Sequence, residues 1–102
     1  MALDFCIKNN HGIVIHKISI TIEEFYGIIK IADSFNPPLL LIGRLKDYYE
    51  DTEFYISELS QLKTELFEVY KKSTEKLKII LKLELLCEMA ILDNTTICVI
   101  AD

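Results

Sequence analysis

Apolar and polar positions alternate along residues 2–8, ALDFCIK: Leu3, Phe5 and Ile7 fall on one side, Asp4 and Lys8 on the other. A period of two is the mark of a strand with one buried face. NNHG follows, a turn signal in which Gly12 is free to take positive φ. IVIHKISI then alternates again, with Ile13, Ile15, Lys17 and Ser19 opposite Val14, His16, Ile18 and Ile20. The two runs predict a β-hairpin.

At Thr21 the period changes. Thr21 followed three residues later by Glu24 is a capping box, so a helix is predicted from Ile22. Phe25, Ile28, Ile29 and Ala32 form its apolar stripe, and NPP ends it because Pro37 biases Asn36 away from helix. LLLIGRLKDYY reads as a short helix weakened by Gly43, and EDTEFYI as a connection or short extended piece. Ser57 is placed to cap a third helix with Leu59, Leu62, Leu66, Val69 and Tyr70 on one stripe. Thr74 is placed to cap a fourth, with Leu77, Ile80, Leu81, Leu85 and Ala90 recurring at helical spacing. That helix is apolar around much of its circumference, which predicts a central position. DNTT turns the chain and TICVIA is a β-branched strand. The order ββα(α)ααβ predicts an α+β fold: a small antiparallel sheet, made of the N-terminal hairpin and the C-terminal strand, packed on three to four helices. Setting the last strand beside the first would tie down both ends.

With 102 residues, half of them hydrophobic and a quarter charged, the chain is expected to be a single domain, residues 1–102, with a core that needs no staples. The formal net charge is −5 and Arg44 is the one arginine, which argues against direct nucleic-acid binding. Lys71, Lys72, Lys76, Lys78 and Lys82 gather where the last two helices join, and read as solvated helix surface. Three cysteines without close spacing (Cys6, Cys87, Cys98) are no disulfide framework; each sits in an apolar run, as buried thiols do. MALDFCIKNN does not resemble a signal peptide, and residues 77–92 carry too many charges to span a membrane, so a cytoplasmic location is expected.

Few residues offer chemistry. His11 and His16 lack the spacing of a metal site, and Cys6 with His16 across the hairpin would supply only two ligands or an unactivated thiol. Asp47 with Glu50 or Asp51 has helical spacing suited to paired carboxylates, yet there is no EF-hand loop and no phosphate-binding glycine loop. Neither an enzyme nor a bound cofactor or metal is expected. What stands out is KDYYEDTEFY, residues 46–55, with four carboxylates and four aromatic rings. Acids of one sign steer a basic partner and tyrosines give contact area at low entropy cost. Asp47, Tyr48, Tyr49, Glu50, Asp51, Glu53 and Tyr55 are therefore the expected partner-binding residues, set against the ordinary reading in which the rings pack inward and the acids stay wet.

The run FNPPLLLIGRLKDYYEDTEFYISELSQLKTEL, residues 35–66, resembles a pattern of small acidic bacterial proteins similar to immunity proteins. Those proteins neutralise toxins used in contact-dependent competition. The resemblance implies a cognate toxin partner, blocked stoichiometrically; the acids of residues 47–53 imply that this partner is basic, a nuclease or a ribosome-associated surface for example. It carries no catalytic residue over. The alternative expectation is a homodimeric structural or adaptor module that uses the apolar helix within residues 77–92.

Overall fold

The computed structural model describes residues 2–46, 51–75 and 77–101. Its elements run β1 (Ala2–Lys8), β2 (Val14–Thr21), α1 (Ile22–Asp33), α2 (Leu40–Gly43), a 3-10 turn (Arg44–Lys46), β3 (Thr52–Phe54), α3 (Ile56–Lys72), α4 (Lys78–Leu92) and β4 (Ile97–Ala101). The fold is α+β, with one antiparallel sheet ordered β2-β1-β4-β3. The first and last strands are neighbours, the arrangement that ties down both ends, among several orders the sequence left open. The sheet also gains a strand: the short extended piece before α3 is β3, paired to β4 through Thr52–Val99, Glu53–Cys98 and Phe54–Ile97.

The hairpin closes on Asn9. Its side-chain oxygen accepts the backbone N–H groups of His11 and Ile13, and Gly12 takes φ 75°, a region open to glycine at no steric cost. The Thr21–Glu24 capping box starts α1 at Ile22. At the other end of the helical layer α4 stops at Asn94, φ 55°, whose N–H reaches the Ile91 carbonyl while the Thr95 N–H reaches that of Ala90. That pair of reversed bonds satisfies carbonyls the helix would otherwise leave open.

Strand alternation decides what the sheet buries. Leu3, Phe5, Ile7, Ile20, Phe54, Ile97 and Val99 are buried and share the face toward the helices. Phe25, Ile28 and Ala32 of α1, Leu59, Leu62, Leu66 and Val69 of α3, and Ile80, Leu83, Leu86 and Ala90 of α4 meet them in one core. The opposite face carries Asp4, Lys8, Lys17, Ser19, Glu53 and Cys98, with Ser19 donating to Asp4.

Three expectations need correction. Tyr55, not Ser57, precedes the first turn of α3; Glu58 reaches back to the Tyr55 N–H at 3.0 Å, which satisfies a donor that Ser57, inside the helix, could not. Thr74 does not cap α4, which begins at Lys78 behind Leu77 and has no side-chain cap. And α4 is not enclosed. It buries one side, while Leu81, Leu85 and Leu92 stand 43%, 57% and 85% exposed. The antiparallel α3–α4 hairpin, latched by Lys63 on Glu88, supplies partners for one face only.

A carboxylate lies deep in this core. Glu65, 5% exposed, points from α3 at the start of α2, where Leu39 has no side chain able to cap. Its carboxylate accepts the Leu41 N–H at 3.0 Å, the Ile42 N–H at 3.0 Å and the Gln61 amide at 2.9 Å. A tertiary contact thus does the work of a local cap. Glu65→Ala would strand those donors and is expected to lower the unfolding free energy by about 2 to 3 kcal/mol in a denaturant titration, with Glu65→Gln losing less.

Candidate functional site

Of the seven residues expected to bind a partner, Asp47, Tyr48, Tyr49 and Glu50 lie outside the described residues. Asp51, Glu53 and Tyr55 are brought together. They border one open depression of about 560 Å³ at the β3 edge of the sheet, with Lys8, Arg44 and Cys98 on its other sides.

The period of β3 sorts this stretch. Phe54 is fully buried among the core side chains, so Glu53 before it must project to the opposite, open face. Tyr55 leaves the strand with 58% of its surface exposed. Asp51 bends back to accept the Ala101 N–H at 3.0 Å, which extends the β3–β4 attachment beyond the ladder. The rings therefore divide: Phe54 packs and Tyr55 stays wet beside Glu53.

Arg44 holds the arrangement. Its guanidinium forks onto the Glu58 carboxylate, one nitrogen bonded to Oε1 at 3.1 Å and the other to Oε2. The first nitrogen also donates to the Glu53 carbonyl at 3.1 Å, and the guanidinium carbon sits 5.2 Å from the centre of the Phe54 ring. A planar fork matched to a carboxylate and stacked on a ring is a task lysine cannot copy. The Arg44 hydrogen bond, reinforced by the Tyr55 N–H, holds the Glu58 carboxyl down at about 2, and the same bond raises the Arg44 pKa. Glu58 is thus neutralised within the molecule, which leaves Asp51 and Glu53 as the acids facing the depression. Composition noted Arg44 only as a lone basic group. The signal that could have found it is that single arginine entering a run otherwise rich in acids.

Other expected groups are dispersed. Cys6 faces Lys17 across the hairpin, and His16 faces Ile7, so Cys6 and His16 do not form a pair. Asp51 is in no helix, and Asp47 and Glu50, the other acids of the expected helical pairs, lie outside the described residues. Among the described residues no group of three or more His, Cys, Asp and Glu converges to hold a metal ion, and no helix is long and apolar enough to cross a membrane. Two of the lysines at the α3–α4 join are engaged locally: Lys71 bonds Glu68 and covers the Phe67 ring, and Lys72 covers the Phe35 ring. Lys76 lies outside the described residues. No family model, curated protein or solved structure matches the chain.

The depressed Glu58 value sets a pH dependence. A carboxyl held at about 2 when folded and near 4.5 when free adds stability above 4.5, and that contribution is lost as the pH falls from 4.5 through about 2. Arg44→Gln should return Glu58 toward its usual value. Its denaturation midpoint should then fall less than the wild-type midpoint over that window, and the Glu58 carboxyl resonance should titrate at higher pH.

Proposed function

We propose that this chain is a binding protein, an immunity protein that neutralises a basic cognate toxin by stoichiometric blockade through the face built on β3. The observation that supports this reading is Tyr55, more than half exposed beside Glu53 and Asp51 on the rim of an open depression. An exposed ring costs hydration and gains nothing within the monomer, whereas at an interface it supplies a rigid anchor. The adjoining carboxylates give the electrostatic attraction that speeds encounter with a basic surface. Arg44 and Phe54 hold the backbone of this rim in place, so binding would cost little ordering.

A second reading rests on a different surface. Leu81, Leu85 and Leu92 form one exposed stripe along α4, flanked by Lys78 and Lys82 at its start and Glu88 and Asp93 at its end. These charges oppose the helix dipole, which favours acids at the start and bases at the end. An antiparallel pairing of two copies about Leu85 would set Lys82 across from Glu88 of the second copy, since each is three residues from Leu85. A homodimer would thus cover the leucines and bring Lys82 to Glu88, which within the monomer already holds Lys63.

The first reading is tested by co-expression with the C-terminal region of the product of the neighbouring reading frame. The wild-type chain should restore growth, while Glu53→Lys and Tyr55→Ala, shown to be folded by circular dichroism, should not. A neighbouring product without toxicity, or rescue indifferent to both substitutions, speaks against it. For the second reading, light scattering across a concentration series should give a dimer for the wild type and roughly tenfold or more weaker association for Leu85→Glu. A strict monomer at high concentration removes it.

A further inference from the structure

Cys6 on β1 and Cys98 on β4 are direct cross-strand partners at the middle of the sheet, and both are free thiols. Directly opposed residues of antiparallel strands have Cα atoms about 4.5 or 5.5 Å apart, inside the roughly 4.4 to 6.8 Å that a disulfide spans. Their Cβ atoms start about 4.5 to 5.5 Å apart, against about 3.5 to 4.5 Å across the bond, so a disulfide would draw the strands together and carry some strain. Strained disulfides are the readily reduced ones. Both side chains sit on the face away from the helices, so no core side chain lies between them.

We propose that Cys6 and Cys98 are a reversible disulfide site, oxidised by a low-molecular-weight disulfide of the glutathione class. The two thiols differ in access. Cys98 is half-buried and borders the depression beside Glu53, whereas Cys6 is 2% exposed between Cys98 and Lys17. Cys98 therefore meets the oxidant. Its thiolate attacks one sulfur of oxidised glutathione; the disulfide bond breaks and its electron pair leaves with one glutathione thiolate, which takes up the proton Cys98 released. Cys6 then attacks the Cys98 sulfur of the mixed disulfide. The second glutathione thiolate leaves and takes the Cys6 proton. Two protein thiols have become one disulfide, and one glutathione disulfide has become two thiols. Burial, with Asp4 and Cys98 adding to it, pushes the Cys6 thiol up, while Lys17 and Lys8 act the other way, in keeping with its part as the second, intramolecular attacker. Cys87 is the built-in reference. It is packed in the α4 core and burial pushes its thiol to about 12, so it stays reduced. The site is independent of the partner readings above.

The test is incubation of the folded full chain with oxidised glutathione, followed by intact mass and peptide mapping. The wild type and Cys87→Ser should each lose two hydrogens and yield a Cys6–Cys98 cross-linked peptide, with Cys87 of the wild type still free. Cys6→Ser should stop at one stable glutathione adduct on Cys98. Cys98→Ser should react about tenfold more slowly or less, because its remaining thiols are buried. Thiol reductant should restore the wild type fully. A wild-type chain that remains unmodified, halts as the Cys98 adduct, or pairs Cys87 overturns the proposal.

Discussion

A carboxylate taken out of water must be satisfied by its surroundings, and Glu65 is the point where this fold meets that demand. It accepts from two backbone N–H groups of α2 and from Gln61. A four-residue helix has little stability of its own and, with Leu39 ahead of it, no local cap. Glu65 and α2 therefore depend on each other: without α2 the carboxylate keeps only Gln61, and without the carboxylate the Leu41 and Ile42 N–H groups lose their acceptor.

From that joint the order passes outward. Glu58 lies seven residues before Glu65 on α3, about two turns away on nearly the same side of the helix. Glu65 takes the backbone at Leu41 and Ile42, and Glu58 takes the side chain of Arg44. Two acids of one helix thus grip a single short segment at two points. Arg44 carries the constraint on to the Glu53 carbonyl and the Phe54 ring, so the shape of the β3 rim is set from beneath by α3. β3 is three residues long; it holds its place through Phe54, Arg44 and the Asp51–Ala101 bond as well as through its ladder.

Much of the frame was legible in sequence because it rests on local signals. The alternation of Leu3, Phe5 and Ile7 and the Thr21–Glu24 capping box each announce an element through neighbours two to four residues away. β3 was not legible as a strand, since three residues are too few to show a period. Leu81 and Leu85 were assigned inward because periodicity counts apolar side chains without knowing how many faces will be covered. Glu65 could have been noticed: it lies on the inward stripe between Leu62, Leu66 and Val69, where an acid implies a buried donor. Within KDYYEDTEFY, composition treated the acids and rings as one surface. The strand period separates Phe54 from Glu53, and Arg44, from outside the cluster, holds the Glu53 carbonyl and lies against the Phe54 ring.

The position of β4 has a consequence for how the molecule comes into being. The strand made of residues 97–101 lies in the interior of the sheet, between β1 and β3. During synthesis β1 and β2 can pair early, but β3 has no ladder to join until residues 97–101 have left the ribosome. The edge of β1 that β4 will cover stays open until then, a row of unpaired backbone groups of the kind that recruits other chains. The sheet closes only when β4 arrives, by insertion rather than by addition at a rim.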